Sequence, residues 1–362
     1  ADRVTPPCPH VGRCGGCAVQ HASDRFTAAW KRDLVARALA ARGIEGVEIR
    51  ETLTSPMASR RRVTLAARRT KKGETVGFHE AGSDRIVPVS ECPVADPRLV
   101  AVIPRLGELV RVLASRKGEI RILLTATEAG VDAAVIASKP PDGPARALMA
   151  GVAARAGLAR LCVDGEVLVT IRPPTVRIGR AEVLPPPGAF LQATEHGEAA
   201  LVAAMREAVT GREGPPRRAV DLFAGVGTFA LPLAEQAAEI RAVEAEADAL
   251  AALDAAWRGA PGLGRIVTER RNLFHRPLLA GDLRGVDAVV IDPPRAGARE
   301  QSVRLAESAV PRIASVSCNP ATFARDARIL LDGGYRLLWV QPVDQFRHAA
   351  HVELVGAFVR PG

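Results

Sequence analysis

The sequence lacks the features that mark membrane, secreted and repetitive proteins. No apolar run approaches the roughly 20 residues that a membrane-spanning helix needs. The first residues, ADRVTPPCPH, lack the charged-then-apolar pattern of a secretion signal. The chain also has no internal repeat and no low-complexity tract. These absences predict a protein of the cytoplasm that does not associate with a membrane.

Length and composition are those of an ordinary globular protein. At 362 residues the chain exceeds the usual limit of a single hydrophobic core, so two domains are expected. The net charge of +9 is carried almost entirely by arginine, whose guanidinium group binds phosphate and stacks on bases. A polyanionic partner is one explanation of this charge. A GC-rich genome, which enriches alanine, arginine, glycine and proline together, is the other.

The first half of the chain has the pattern of one helix followed by short strands. The helix is predicted in SDRFTAAWKRDLVARALAARG, where Ser23 or Asp24 caps its start and Gly43 ends it. Strands that alternate in polarity follow, beginning with the hairpin RRRVTLAARR and VGFHEAG. Residues 1–187 are therefore predicted to form an antiparallel α+β domain with a cysteine-rich head at about 8–92. The helix has apolar residues at helical spacing, namely Phe26, Trp30, Leu34, Val35 and Leu39.

The pattern changes at the proline-rich break LPPPG, residues 184–188. After it, apolar strands and helices alternate along the chain, which is typical of a parallel, doubly wound sheet. Residues 188–362 are therefore predicted to form a second domain of the α/β class.

A glycine turn follows the first strand of this second domain. Gly225 and Gly227 stand between the strand RAVDLFA and a helix predicted over GTFALPLAEQAA. Glycines there let a ligand approach the backbone at the carboxyl end of a sheet. Glu244 ends the next strand about twenty residues later, where a carboxylate can bind ribose hydroxyls. A purely structural tight turn is the alternative for the glycines alone.

The same turn differs from a dinucleotide-binding fingerprint, because Ala230 stands near the place of the third glycine. The pattern Asp-x-Phe-x-Gly-x-Gly, which begins at Asp221 and includes Phe223, instead resembles motif I of class I S-adenosylmethionine methyltransferases. The resemblance implies a Rossmann-like domain that binds S-adenosylmethionine.

The motif DPPRAGA follows a later strand and begins at Asp292. Its prolines would fix a loop beside the transferred methyl group, and the Asp292 carboxylate could accept a hydrogen bond from a base. A proline-rich turn without function is the alternative. The motif differs from the Asn-Pro-Pro-aromatic version that serves exocyclic amines, which argues against adenine N-methylation.

Cys318 ends another predicted strand, in IASVSCNP. Carbon 5 of uracil is a poor nucleophile, but a thiolate that adds to carbon 6 turns the ring into an enolate whose carbon 5 accepts a methyl group. A buried structural cysteine is the common alternative, and it is favoured for Cys162. The position of Cys318 at a strand end, in the same sheet as the cofactor motif, favours the catalytic interpretation.

The same reaction needs a base that removes the hydrogen from carbon 5. Glu353 stands in the otherwise apolar run His-Val-Glu-Leu-Val, where burial would raise its proton affinity. His348 and His351 are further candidates, although a histidine more often forms hydrogen bonds within the fold.

These motifs together resemble the bacterial RNA (uracil-C5)-methyltransferases, especially the 23S ribosomal RNA branch with an iron-sulfur cluster. The likeness covers nearly the whole chain, through the segments SRRRVTL, VGFHEAGS, FLQAT, DLFAGVGTF, DPPRAGA, SCNPAT and HVE. It implies that Cys318 is the nucleophile, that Glu353 is the base and that Asp292 contacts the target uracil. Two residues depart from the family pattern: Thr194 stands where Asn is common, and Arg347 where Pro is common.

The resemblance also implies a cofactor site for S-adenosylmethionine. Gln192 of FLQAT is expected beside both the uracil and the cofactor, and Asn272 of RRNLF is a further candidate. The other cofactor-binding residues implied are Asp221, Phe223, Gly225, Gly227, Glu244 and Asp292.

Four cysteines have the spacing of a metal site. Cys8, Cys14 and Cys17 form C-x5-C-x2-C, and Cys92 follows in SECPV. Four thiolates suit tetrahedral zinc or a [4Fe–4S] cluster, and three clustered cysteines with a distant Cys-Pro favour the iron-sulfur cluster. The C-x3-C-x2-C run of radical enzymes is absent. A structural or RNA-positioning cluster is therefore expected.

The expected partner is RNA, with 23S ribosomal RNA first and the T-loop of transfer RNA as the alternative. The basic residues of the first hairpin either bind phosphate or protect a solvated strand edge. Related enzymes often carry a small β-barrel RNA-binding domain before the cysteine head, and almost nothing precedes Cys8 here. A non-catalytic iron-sulfur RNA-binding factor and a cytosine-C5 enzyme remain rival functions, and a monomer is expected. The hairpin residues are Arg60, Arg61, Arg62, Arg68, Arg69, Lys71 and Lys72.

Overall fold

Two large β-sheets and a separate hairpin organise the chain in a computed structural model, which describes residues 2–71, 73–211 and 214–361. Lys72 lies outside the described residues. The strands are Glu48–Ile49 (β1), Leu53–Thr54 (β2), Arg62–Thr70 (β3), Gly73–His79 (β4), Ile86–Pro88 (β5), Glu119–Thr127 (β6), Gly130–Ile136 (β7), Leu158–Val163 (β8), Glu166–Thr170 (β9), Val176–Ile178 (β10), Ala181–Val183 (β11), Arg218–Leu222 (β12), Glu239–Glu244 (β13), Arg265–Arg270 (β14), Ala288–Ile291 (β15), Arg312–Ser317 (β16), Arg336–Asp344 (β17) and Glu353–Val359 (β18).

The α-helices pack against these sheets. They are Asp24–Ala40 (α1), Pro97–Val102 (α2), Gly107–Leu113 (α3), Gly143–Ala156 (α4), Glu195–Val209 (α5), Ala230–Leu233 (α6), Ala247–Arg258 (α7), Arg299–Ala306 (α8) and Pro320–Asp332 (α9). Among the described residues, none of these helices is long and apolar enough to cross a membrane.

The smaller sheet has the strand order β5-β4-β3-β6-β7-β8-β9. Its neighbours are antiparallel, as the sequence predicts, except that β7 and β8 run parallel. The parallel pair requires a crossover, and α4 provides it; the alternating strand pattern did not predict this helix. The core of this sheet is a cluster of buried aliphatic side chains from β3, β6, α2 and α3, among them Leu65, Leu99, Leu109 and Ile122.

The larger sheet confirms the doubly wound fold predicted for the second half of the chain. Five parallel strands lie in the order β14-β13-β12-β15-β16, and β18 inserts antiparallel between β16 and β17. The parallel strands are buried and rich in alanine, valine and isoleucine, as expected where helices cover both faces. Their carboxyl ends meet at one edge of the sheet.

The helix predicted after the first cysteines is confirmed as α1, and Ser23 caps it by accepting the N–H of Phe26 at 3.2 Å. The predicted apolar face is wrong at its start, because Phe26 is 45% exposed. The buried side instead includes Thr27 and Lys31, since this face packs on the end of β17 and Lys31 pairs there with an acid.

Residues before the predicted domain break also join the larger sheet. Strands β1 and β2 both pair parallel with β17. The division into residues 1–187 and 188–362 therefore stays a prediction. Residues 48–54 belong to the first part of the chain but pair with β17, which belongs to the second.

The helix predicted over GTFALPLAEQAA is wrong in length. Only Ala230–Leu233 is helical, and the chain before it forms turns that include Gly227 at φ +98°. Pro232 lacks an N–H group and cannot extend a regular helical ladder. The short helix leaves the glycine turn open at the edge of the sheet.

Candidate active site

The predicted site residues gather at the carboxyl edge of the larger sheet. Asp221 is the second-last residue of β12, Glu244 is the last residue of β13, and Asp292 directly follows β15. Cys318 directly follows β16, while Glu353 begins the antiparallel strand β18. The sheet topology brings these residues together from segments up to 132 positions apart in sequence, between Asp221 and Glu353.

The turn after β12 has a backbone that few residues adopt. Phe223 has φ +63°, which is uncommon for a residue with a side chain, and Gly225 and Gly227 have φ +53° and +98°. The conformation of Gly227 favours glycine, and a Cβ there would lie 3.0 Å from the side chain of Leu231, which would have to shift. A Cβ at Gly225 would meet nothing within 4 Å, which leaves space for a ligand beside the backbone.

Glu244 closes this turn from the neighbouring strand. Its Oε2 accepts the N–H of Gly225 at 3.0 Å, and its Oε1 accepts the N–H groups of Ala245 at 2.6 Å and Glu246 at 3.0 Å. The carboxylate is therefore held in one orientation at the strand end. It retains lone pairs for hydroxyl donors of a ligand.

Asp221 is a fully buried acid at the start of the glycine turn. It is 0% exposed, and neither carboxylate oxygen has a partner in hydrogen-bonding geometry among the described residues. Burial, followed by the negative charge of Asp292, raises the pKa of Asp221 well above its usual value; the nearby backbone N–H of Ala230 lowers it, and the charge of Glu244 raises it. Three acids around one turn fit a ligand that carries positive charge and hydrogen-bond donors, as S-adenosylmethionine does.

An apolar cavity of about 210 Å³ lies next to the turn. The rings of Phe223 and Phe274 are tilted against each other there, with centroids 5.4 Å apart. Asn272 shapes the same loop, because its Oδ1 accepts the N–H of Phe274 at 3.0 Å. The cavity is large enough and apolar enough for a planar ring, and Asn272 stays a predicted cofactor contact rather than an observed one.

Cys318 and Glu353 face each other across neighbouring strands. The β16–β18 ladder ends with Ser317 opposite Leu354, and Cys318 and Glu353 are the next residues along the two strands in that antiparallel register. Burial, and then the charges of Glu353 and Asp292, raises the pKa of the Cys318 thiol to about 11, although its backbone N–H and Arg295 oppose the shift. The thiol is therefore neutral until its surroundings change.

The two carboxyl groups beside this thiol also hold their protons more strongly than usual. Burial, and then the charge of Asp292, raises the pKa of Glu353 to about 8, although a hydrogen bond from Gln345 lowers it. Burial raises the pKa of Asp292 to about 7. Both groups can thus exchange protons near neutral pH, which is the property that acid–base chemistry requires.

Gln192 and Gln345 form a buried pair beside these acids. Gln192 is 1% exposed; its Nε2 donates to Asp292 Oδ2 at 3.5 Å, and its Oε1 accepts from Gln345 Nε2 at 2.5 Å. Sequence reasoning missed Gln345. The available signal was a polar pair, Asp344-Gln345, at the end of an apolar strand close to the HVE motif.

The two departures from the family pattern have local structural roles. Thr194 is the N-cap of α5, where its Oγ1 accepts the N–H of Gly197 at 2.9 Å. Arg347 donates to the backbone oxygen of Ser55 at 2.9 Å and pairs with Asp24.

The four predicted metal ligands line one cavity of about 260 Å³, formed by the N-terminal loop, the start of β3 and the segment around Cys92. Burial, and then the neighbouring cysteines, raises the pKa of Cys17 to about 11. Among the described residues, no three Cys, His, Asp or Glu side chains lie close enough together to hold a metal ion as they stand. The donor set fits a thiolate-bound centre, whereas a closed coordination geometry is not formed.

Buried polar atoms also face this cavity without partners. His10 Nε2, Gln20 Oε1 and His348 Nε2 line it, and none has a hydrogen-bond partner among the described residues. Arg60 lies in the wall as well; burial lowers its pKa, and the thiols of Cys17 and Cys92 oppose the shift.

The hairpin arginines were predicted either to bind phosphate or to protect a solvated strand edge, and Arg61 does neither because it is buried. Arg61 is 2% exposed and forms an ion pair with Glu198 of α5. Arg60 lies over the ring of Phe346 at 5.4 Å, and Arg62 donates to Leu191 O at 2.9 Å. These contacts join the two sheets to each other. They do so because β3, a strand of the smaller sheet, begins next to the segment that leads into α5.

Comparison with known proteins identifies the family. Residues 188–360 match the family model described as tRNA (Uracil-5-)-methyltransferase. An uncharacterized RNA methyltransferase of Caulobacter vibrioides is 46% identical over 99% of this chain and 87% of its own length. The 23S rRNA (uracil(1939)-C(5))-methyltransferase RlmD of Chromohalobacter salexigens is 33% identical over 97% of this chain and 75% of its own length. The chain belongs to the RNA (uracil-C5)-methyltransferase family.

A solved structure supports the same fold for this RNA methyltransferase. The crystal structure of Pyrococcus abyssi tRNA (uracil-54, C5)-methyltransferase in complex with S-adenosyl-L-homocysteine matches with a TM-score of 0.77. It is 24% identical and covers 97% of this chain and 86% of its own. The protein therefore has a Rossmann-like catalytic sheet and belongs to a family of enzymes that methylate carbon 5 of uracil in RNA.

Proposed function

We propose that this enzyme methylates carbon 5 of a uridine in 23S ribosomal RNA through a covalent adduct between Cys318 and carbon 6. The observation that carries the proposal is the placement of a thiol just after the end of β16 next to a buried carboxyl group at the start of β18. Asp292 stands beside both, since its charge raises the pKa of each. A non-catalytic RNA-binding factor would have no use for this arrangement.

Cys318 reacts as the thiolate, after its proton has passed to solvent. The sulfur bonds to carbon 6 of the uracil, and the electrons of the carbon 5–carbon 6 double bond move to O4 as an enolate. Gln192 and Asp292 hold the base edge through their polar atoms. Bound S-adenosylmethionine supplies the electrophilic methyl group that carbon 5 accepts.

Glu353 completes the reaction as the base. Its carboxylate takes the hydrogen from carbon 5, the double bond to carbon 6 forms again, and the carbon–sulfur bond breaks to release the Cys318 thiolate. A carboxyl group whose pKa is about 8 accepts a proton from carbon more readily than an ordinary glutamate. The same carboxyl group must be ionised at the moment of transfer.

Ribosomal RNA is the favoured substrate because the relative from Chromohalobacter salexigens acts on 23S rRNA and matches nearly the whole chain. Transfer RNA is the alternative, since the Pyrococcus abyssi enzyme of the same fold acts on it. Phe190 is 65% exposed and carries the Arg62 guanidinium 5.3 Å from its ring centre, which offers a stacking surface for an RNA base beside Gln192.

We further propose that Cys8, Cys14, Cys17 and Cys92 hold a [4Fe–4S] cluster, with zinc as the alternative. The cavity shared by the four cysteines and the cation of Arg60 suit an anionic thiolate-bound group. We expect the division at residue 187 to separate this region from the catalytic domain. We also expect the enzyme to act as a monomer in the cytoplasm.

Trapping with fluorinated RNA tests the proposed function. Protein purified without oxygen is incubated with S-adenosylmethionine and 5-fluorouracil-substituted 23S rRNA or transfer RNA, and denaturing gels are compared. Glu353 cannot remove fluorine from carbon 5, so the wild type should remain attached to 23S rRNA. Cys318→Ala should form no adduct, whereas Cys162→Ala, a change at a buried cysteine of β8, should behave like the wild type. No adduct with either RNA, from protein that binds the cofactor, would contradict the proposal; an adduct with transfer RNA alone would replace the substrate.

A further inference from the structure

Gln345 connects three parts of the site through one side-chain amide. It follows directly after β17 and is 2% exposed. Its Oε1 accepts the backbone N–H of Thr194 at 3.3 Å, and its Nε2 donates to Gln192 Oε1 at 2.5 Å. It also lies beside Glu353, where its amide lowers the pKa of that carboxyl group. The uracil-edge residue and the base are therefore in contact with the same group.

The direction of these hydrogen bonds is determined by a backbone donor. A backbone N–H can only donate, so the Gln345 atom that faces Thr194 must be the oxygen. The Gln345 nitrogen then faces Gln192, whose oxygen must point back toward it. The Gln192 nitrogen is left to point at Asp292, which is the arrangement that the distances describe.

The backbone around Gln345 is held by a buried ion pair. Lys31 and Asp344 are both 0% exposed, with Lys31 Nζ 2.5 Å from Asp344 Oδ1. Lys31 also donates to the carbonyl oxygen of Phe346 at 3.0 Å, and Asp344 accepts the N–H of Phe346 at 2.9 Å. The residues on both sides of Gln345 are thus fixed to α1, and its amide has little freedom to turn away.

We propose that Gln345 is a positioning residue of methyl transfer, which sets the amide orientation that Gln192 offers to the base and holds the Glu353 carboxylate toward carbon 5. With this orientation Gln192 presents an N–H donor, which suits a carbonyl oxygen of uracil and not the amino group of cytosine. The inference rests on the proposed roles of Glu353 and Gln192. It gives the enzyme a residue that acts on both base recognition and proton removal.

Other ionisable groups near Glu353 also affect how the methylation rate depends on pH. Asp292 approaches from the end of β15 and Cys318 from the end of β16, and their charges belong to the same cluster. Arg295 lies beside Cys318 and beside His351, whose own pKa is lowered by burial and then by Arg295. None of these residues changes in the variants below. A shift in the pH profile therefore reports the loss of the Gln345 contact.

The test compares Gln345→Met with Gln341→Met. Gln341 is a matched control, because it is 7% exposed on β17, the strand that Gln345 follows, and its Nε2 donates to the backbone oxygens of Glu51 and Pro342. Single-turnover methylation of unsubstituted RNA is followed against pH, together with the amount of protein–RNA adduct on denaturing gels. A second variant, Gln345→Glu, keeps the acceptor for Thr194 but loses the donor and adds charge beside Glu353.

For Gln345→Met we expect about a tenfold slower turnover near pH 7, because a hydrogen bond to a charged group contributes roughly that factor. Losing the donor raises the pKa of Glu353, so the rising limb of the profile should move to higher pH and a methylated adduct should accumulate. Gln345→Glu should shift the limb further in the same direction, and Gln341→Met should not shift it.

Two negative outcomes are distinguishable. A wild type that traps on 5-fluorouracil RNA, with both Gln345 variants folded and showing the wild-type limb and no adduct, would overturn the role of Gln345 alone. A wild type that never traps would overturn the proposed function instead. If Gln345→Met fails to fold, the pH limb of Gln345→Glu decides, since that variant retains the Thr194 contact.

Discussion

Cys318 and Glu353 stand opposite each other one residue beyond the last pair of the β16–β18 ladder. The ionised carboxylate disfavours the thiolate, because its charge raises the pKa of the thiol. Each group must nevertheless lose its proton at a different step of the proposed cycle. The arrangement separates the two steps in time: positive charge from a bound cofactor favours the thiolate first, and adduct formation removes the thiolate before Glu353 acts.

The rate of methylation is expected to rise with pH. Glu353 is active only when ionised and its pKa is about 8, so the active fraction grows through this value. Cys318, whose pKa is about 11 in the free protein, changes in the same direction. Single-turnover rates between about pH 6 and pH 9 check this expectation. A profile that is flat, or that falls over this range, would contradict it.

Lys31→Met is expected to destabilise the protein by about 3–5 kcal/mol, because it leaves the buried Asp344 charge unpaired. The measurement is the free energy of unfolding in urea. Arg37→Met provides the control: Arg37 pairs with Asp33 on the exposed side of the same helix, where a pair contributes about 1 kcal/mol or less. Equal losses for the two variants would show that the buried pair has no special role.

Gly227→Ala is expected to weaken cofactor binding at least about tenfold. The new Cβ would lie 3.0 Å from Leu231, in a backbone conformation that alanine rarely adopts, so the turn must change shape. Gly259→Ala, at the end of α7, is the control because its Cβ would make ordinary contacts at 3.5 Å. Isothermal titration with S-adenosylmethionine measures the difference. Equal affinities for the two variants would mean that the turn is not part of the cofactor site.

Cys14→Ser is expected to lower the iron and sulfide content of protein purified without oxygen. Cys14 lines the four-cysteine cavity, and a hydroxyl group is a poor replacement for a thiolate ligand. Cys162→Ser changes a cysteine outside that cavity and should retain the full content. Zinc in place of iron in the wild type would support the alternative metal, and an absence of both metals would overturn the proposed centre.

The strand-end residues could be predicted from the sequence because they follow a general rule of parallel sheets. Asp221, Asp292 and Cys318 each stand at the end of an apolar strand, and such ends meet at one edge. Glu353 could be found as a single acid in an apolar run. The family pattern added Gln192, whose own surroundings in the sequence gave no sign of a functional role.

Other parts of the site depend on contacts between distant segments. Gln345 was missed because its partner Gln192 lies 153 positions away, and no local pattern links the two. Both interpretations of Arg61 placed it on the surface, because its buried partner Glu198 belongs to a helix 137 positions later. Lys31 breaks the apolar face of α1 for the same reason, since its partner Asp344 lies at the far end of the chain. The charge and periodicity of a segment can be read from its own sequence. Whether its side chains are buried depends on the distant segments that pack against it.

The most direct test of covalent uracil methylation uses Glu353→Gln with unsubstituted RNA and S-adenosylmethionine. Loss of the base should lower turnover by about 10²–10⁴ while leaving addition and methyl transfer possible. The account predicts a denaturation-resistant complex in which mass spectrometry finds a methylated uridine bonded to the peptide that carries Cys318. Normal turnover by this variant, or an adduct through any other cysteine, would contradict the account.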